Sequence, residues 1–137
     1  MKLIFIGTNL NFIIKNIKQV DEVVLEIKPD GLKRIEIFRH KKRICVVREL
    51  TRCDDSTYCC GYVETLPRNK GKSYTQFVDK IETDELTYSG NLFGLFDGVW
   101  FFGFDSAHVW NDEKSRSFKS VKKRTKKLCE EMVKKRI

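Results

Sequence analysis

The sequence predicts an α+β fold: a largely antiparallel sheet of about five to six strands, with a C-terminal basic amphipathic helix packed on one face and one or two short helices. Three observations lead to this class. Apolar runs of strand length follow one another between residues 22 and 50, separated by short turn-forming segments. Phe118, Val121, Thr125, Leu128, Cys129 and Met132 recur at helical spacing. The run Val99-Trp100-Phe101-Phe102-Gly103-Phe104 is apolar toward both faces, as a strand covered on both sides must be.

Taken in order, Met1 to Ile6 reads as a buried N-terminal strand. Leu10, Ile13, Ile14 and Ile17 behind Thr8, a helix N-cap residue, predict a short amphipathic helix over residues 9–20. Glu22 to Lys28, Leu32 to Arg39 and Arg43 to Leu50 form an antiparallel meander, divided by Pro29-Asp30-Gly31 and by His40-Lys41-Lys42. In its middle strand Ile35 and Ile37 alternate with Arg34 and Glu36, which predicts one packed and one wet face.

Thr51 to Thr57 is polar and reads as a loop, and Tyr58 to Glu64 as the next strand, stopped by Pro67 and the basic turn Arg68 to Lys72. Ser73 can cap a short helix carrying Tyr74, Phe77, Val78 and Ile81. Leu86 to Ser89 and Val99 to Phe104 then bracket a Gly-rich link, the second being the candidate central strand. A helix from Ser117 onward closes the chain.

At 137 residues the chain is long enough for one core and too short for two, so residues 1–137 are expected to form one domain. Within it, 1–33 would be an extension of strand and helix, 34–113 the sheet core, and 114–137 the basic helix. No run of about 18 apolar residues occurs and Met1 to Ile6 is too short for a secretion signal, so no membrane contact and a cytoplasmic setting are expected. Five cysteines without paired C-x-x-C spacing fit free thiols in a reducing compartment. Adjacent Cys59 and Cys60 should point to opposite faces, one in the core and one exposed.

The net charge of +8 is unevenly placed. Residues 114–137 hold eleven Lys and Arg against Glu130 and Glu131, a balance of +9, which leaves 16 basic and 17 acidic residues for the remainder. The apolar stripe of the last helix would dock on the sheet. Lys119, Lys122, Lys123, Lys126 and Lys127 on its other face are the candidate partner-binding residues, suited to phosphates or to an acidic protein. A solvated face that keeps the protein soluble is the plain alternative.

Candidate chemistry is sparse. Tyr88, Ser89, Asp105 and His108 could meet at the mouth of a pocket where the apolar strand ends, with Asp105 orienting His108. The plain alternative is that Asp105 caps a turn and His108 bonds to backbone. Cys60 would be a nucleophile only with a base beside it, and a zinc set of Cys53, Cys59, Cys60 and a histidine matches no standard spacing, so no metal and no cofactor are expected. No P-loop, G-x-G-x-x-G or G-x-S-x-G motif occurs.

Four blocks, Cys60-Gly61-Tyr62-Val63, Gly71-Lys72-Ser73-Tyr74, Leu86-Thr87-Tyr88-Ser89-Gly90 and Trp100-Phe101-Phe102-Gly103-Phe104-Asp105-Ser106-Ala107-His108, occur in an order that resembles a family of small bacteriophage and prophage proteins. The likeness is one of pattern and spans about residues 34–135. In that family the third block has a His-Gly-Gly lead-in, where this chain has Thr83-Asp84-Glu85. The resemblance implies a phage or mobile-element accessory protein in a bacterial host. Such a protein would act by binding a host defence protein or its nucleic acid, as anti-CRISPR inhibitors do. The alternative expectation is a small enzyme or nucleotide-binding protein built on Tyr88, Ser89, Asp105 and His108.

Overall fold

The structure, a computed structural model, describes residues 2–6, 22–27, 33–51, 56–92, 98–107 and 116–137, the first two segments and residues 33 and 34 as strand backbone only. Seven strands join one sheet: β1 (Lys2–Ile6), β2 (Glu22–Ile27), β3 (Lys33–His40), β4 (Arg43–Thr51), β5 (Thr57–Glu64), β6 (Tyr88–Gly90) and β7 (Phe101–Asp105). Their order is β1-β2-β3-β4-β5-β7-β6. Every pairing is antiparallel except β1 with β2, which is parallel. Helix α1 (Phe118–Lys134) follows. The α+β class is as expected. The sheet is wider by a strand because β1 and β2 extend the meander through β3, so the N-terminal strands belong to the same sheet.

The meander follows from local chemistry. β3 and β4 are joined by Lys41-Lys42, both with positive φ, 50° and 65°. Two positive φ angles in a two-residue loop are what a type I′ hairpin turn demands, because its twist matches that of the strands. Register then sets the faces. Phe38, Cys45, Val63 and Phe102 line up across β3, β4, β5 and β7, and beside them Glu36, Val47, Gly61 and Phe104. Both rows lie under α1. The alternate rows, Ile37-Val46-Tyr62-Gly103-Tyr88 and Ile35-Arg48-Cys60-Asp105, face the other way.

Several expectations need correction. The second face is not wet: Ile37, Ile44, Val46, Cys60, Tyr62, Leu92 and Phe101 form a second buried cluster. Glu36, expected on the wet side, is 1% exposed and lies under α1. Cys59 and Cys60 do point to opposite faces, but both are buried, since both faces are packed. The strand read as central is the last but one. β7 is apolar on both faces because it has neighbours β5 and β6 and cover on each side, while the middle position belongs to β4.

The helix expected after Ser73 is only a 3-10 turn, Tyr74–Gln76, although Ser73 does cap it, its Oγ accepting from the Thr75 amide at 3.2 Å. Phe77 and Ile81 are buried in the core under α1, but Val78 is 39% exposed, so the segment lacks the apolar contact that would extend the helix. The strand expected at Leu86 to Ser89 is shifted to Tyr88–Gly90. Pro67–Asn69 forms a second 3-10 turn. The helix expected over residues 9–20, the cysteine at 53 and the histidine at 108 lie outside the described residues.

Candidate functional site

Helix α1 begins where Ser117 Oγ accepts from the Ser120 amide at 3.2 Å. It buries Val121, Thr125, Leu128, Cys129 and Met132 against the sheet. Val121, Leu128 and Met132 each contribute about 1.5–3 kcal/mol through loss of apolar surface from water. Gly61 sets how close the helix comes: a Cβ there would stand 2.1 Å from Thr125 Oγ1 and 2.7 Å from the Phe104 ring. The buried Thr125 hydroxyl is satisfied within the helix, donating to the Val121 carbonyl at 2.7 Å.

The end of α1 is equally specific. Ile137 N donates to Met132 O at 2.9 Å and Arg136 N to Val133 O at 3.3 Å, with Arg136 at φ 58°. This is a Schellman cap with arginine in the left-handed position that glycine usually takes.

With the docking face fixed, the basic residues divide into two groups. Lys122 forms an ion pair with the buried Glu36 carboxylate, and both Lys122 and Lys126 lie over the Phe38 ring, at 5.1 and 5.6 Å from its centroid. Arg124 grips Asp84 with two donors, Nη2 to Oδ1 at 2.5 Å and Nε to Oδ2 at 3.3 Å, and stacks on Phe104 at 5.0 Å. These side chains fasten the helix.

Lys119, Lys123, Lys127 and Lys134 are exposed. Among the described residues none of the four forms an ion pair. At a rise of 1.5 Å per residue, steps of four place the first three about 6 Å apart along one face. Of the five lysines expected to bind a partner, Lys119, Lys123 and Lys127 therefore stand exposed and without an ion pair among the described residues, whereas Lys122 and Lys126 are drawn onto the sheet.

The hairpin turn enlarges this surface. His40 Nε2 lies 3.0 Å from Glu130 Oε1. The hydrogen bond with His40 holds the Glu130 carboxyl below its ordinary pKa, and the charges of Lys41 and Lys127 add to the effect. Exposed Lys41 thus flanks the same carboxylate as the helix stripe, and exposed Lys42 is the next residue of the turn. In the sequence these two lysines signal a turn, and only the register of β3 with β4 carries them to α1.

The opposite face of the sheet holds the second candidate. A cavity of about 290 Å³ is lined by Arg48, Tyr58, Cys60, Tyr62, Thr87, Tyr88 and Asp105 among others. Tyr62 and Tyr88 meet edge to face above Gly103, with centroids 5.3 Å apart, and a Cβ on Gly103 would stand 2.5 Å from Tyr62 Cδ1. Tyr88 and Asp105 are thus brought together as expected. Ser89 is not, because successive strand residues alternate faces, and its Oγ accepts from the Tyr74 amide at 3.1 Å.

Inside this cavity the polar groups serve the fold. Asp105 Oδ1 accepts from the Ala107 amide at 2.9 Å, a turn cap, and Oδ2 accepts from Thr87 Oγ1 at 3.0 Å. Ser106, the next residue, closes β7 onto β5: its Oγ accepts from Cys59 N at 3.0 Å and donates to Cys59 O at 2.9 Å. Burial pushes the Cys60 thiol up to about 11 and the Cys59 thiol up to about 12, so neither supplies a thiolate near neutral pH. Because these two cysteines point to opposite faces, one ion cannot take both, and among the described residues no three His, Cys, Asp or Glu converge as a metal cluster.

The Thr83-Asp84-Glu85 block also has a structural use. The Thr83 and Glu82 amides donate to the Glu131 carboxylate at 2.9 to 3.1 Å, and Asp84 takes Arg124. The segment clamps α1. No helix among the described residues is long and apolar enough to cross a membrane. By fold the molecule is an α+β protein whose sheet carries a basic helix on one face. Comparison of the chain with protein-family models, with curated proteins and with solved structures finds no match.

Proposed function

We propose that this chain acts by binding rather than by catalysis, and that Lys119, Lys123 and Lys127, with Lys41 and Lys42 beside them, hold the phosphate backbone of a nucleic acid. One observation carries the reading: lysines at four-residue steps on a helix anchored by its other face stand exposed, and among the described residues none of them forms an ion pair, Glu130 acting on Lys127 only from beyond ion-pair distance. A row of cations held on a rigid element gains free energy by displacing counterions from a polyanion, without regard to base sequence.

The four-block resemblance supports a setting for this binding: a phage or mobile-element accessory protein that disables a host defence nuclease by engaging its nucleic acid, in the manner of an anti-CRISPR inhibitor. The alternative, a small enzyme or nucleotide-binding protein at Tyr88, Ser89, Asp105 and His108, has less behind it. Ser89 faces away from the cavity, both Asp105 oxygens accept hydrogen bonds from the protein itself, and Cys60 is protonated.

The test is a triple charge reversal, Lys119→Glu, Lys123→Glu and Lys127→Glu, in a binding assay with labelled duplex and single-stranded oligonucleotides. Loss of binding with an unchanged melting temperature is expected. Retained binding removes the stripe as the interface. Phage plating on defence-carrying cells that express either form tests the setting: protection of the phage should require the three lysines.

A further inference from the structure

A cleft of about 660 Å³ opens at the C-terminal end of α1, and Arg68, Lys72, Lys80 and Arg136 converge on it. Its walls are fixed by the chain itself. Leu66 N donates to Ile137 O at 3.0 Å, the Arg68 guanidinium bonds the Arg136 carbonyl, and Lys135 Nζ donates to Lys80 O at 2.5 Å. Lys135 is neutralised by Glu131 at 2.8 Å. Among the described residues the other four cations have no ion-pair partner, and the cleft's acidic residues, Asp79 and Glu82, are too few to balance them.

Two further features distinguish this cleft from a solvated basic surface. Asn69 lines it while being 3% exposed, so an amide side chain capable of donating sits in its interior wall. Arg136 is held in the left-handed region, a conformation unfavourable for a non-glycine residue, which fixes where its side chain leaves the backbone.

We infer that this cleft is a binding site for a phosphate group, separate from the lysine stripe and independent of its function. The Arg136 guanidinium offers a fork that matches phosphate oxygens pairwise, Arg68 adds the donors it does not give to the Arg136 carbonyl, and two ammonium groups add point charge. Its volume falls within the range of small-ligand sites, so it admits what the phosphate is attached to as well. A free nucleotide and the 5′ end of a nucleic-acid strand would present the same group.

The experiment uses the full chain and follows its melting temperature at constant ionic strength. The probes are inorganic phosphate, adenosine 5′-monophosphate, and one oligonucleotide with either a 5′-phosphate or a 5′-hydroxyl. Saturable stabilisation by inorganic phosphate and by at least one phosphorylated probe is expected. A response to the mononucleotide assigns a free nucleotide. A response confined to the 5′-phosphorylated strand assigns a strand end.

In Lys72→Gln/Arg136→Gly the shift should vanish, while glycine at the left-handed position keeps or raises the unliganded melting temperature. Lys72→Gln/Lys80→Gln, which leaves the cap intact, should weaken the shift in the same direction. The stripe variant Lys119→Glu/Lys123→Glu/Lys127→Glu should respond like the parent, which keeps a failure of the cleft distinct from a failure of the stripe. No saturable shift with any probe, or equal shifts in parent and both cleft variants, overturns the proposal.

Discussion

Lys122 on α1 and Glu36 on β3 form an ion pair whose carboxylate is 1% exposed, so the helix is tied to the sheet by a charge as well as by its apolar stripe. The pair sits over Phe38, with Lys122 5.1 Å from the ring centroid. A buried carboxylate without its partner is costly, whereas an apolar pair of similar volume is often neutral. Lys122→Ala should therefore destabilise the protein by about 3 kcal/mol in urea unfolding. Lys122→Met combined with Glu36→Leu should recover most of that loss, a pattern that simple loss of packing would not give.

Gly61 is the seat of α1. Because an added Cβ would stand 2.1 Å from Thr125 Oγ1, Gly61→Ala must push the helix or the Phe104 ring outward. Overpacking of this kind costs about 1–3 kcal/mol. Adding Thr125→Ala, which removes the hydroxyl in the way, should return part of that stability in a double-mutant cycle.

The hairpin turn allows stability and binding to move in opposite directions. Lys41 and Lys42 occupy positive φ angles that asparagine and glycine adopt at less cost. Lys41→Asn/Lys42→Gly should stabilise the fold by about 0.5–1 kcal/mol, on the scale of other changes that relieve an unfavourable φ. Nucleic-acid affinity should nevertheless fall, since two cations beside the stripe are gone. A variant that is more stable and binds as tightly would take the turn out of the interface.

Glu131 supplies the pH dependence. Burial alone would raise its carboxyl, but hydrogen bonds from Lys135 and from the Glu82 and Thr83 amides outweigh that and hold it down to about 2. A carboxyl lowered on folding stabilises the protein fully above its unfolded pKa of about 4.3 and loses that contribution as pH falls toward the folded value. The stability gap between the parent and Glu131→Gln should therefore be constant from pH 6 upward and close between roughly pH 5 and pH 2. A gap that stays constant down to pH 2 would mean the clamp on the segment after Ile81 contributes nothing through its charge.

Much of this was legible in the residues. The α1 stripe, its start at Ser117 and the meander are local signals, because period 3.6, period 2 and turn residues are set within a few positions. The charge imbalance located the basic element correctly. What failed was non-local. Whether Glu36 faces water depends on α1 lying over β3, and whether Lys122 or Lys123 is free depends on which sheet residue lies opposite. Neither fact is written within ten residues of the side chain concerned. Tyr88 and Asp105 could be placed together by their position at strand ends, but Arg48, Tyr58 and Tyr62 enter the cavity only through cross-strand register.

The most direct measurement is the salt dependence of duplex DNA binding by the parent and by Lys119→Glu/Lys123→Glu/Lys127→Glu. Each phosphate neutralised contributes about 0.9 to the slope of log K against log salt, so three contacts amount to about 2.7. The account predicts a steep parental slope that falls by at least that amount in the variant, with both proteins equally folded. Equal slopes, or a parent whose binding ignores salt, would contradict it.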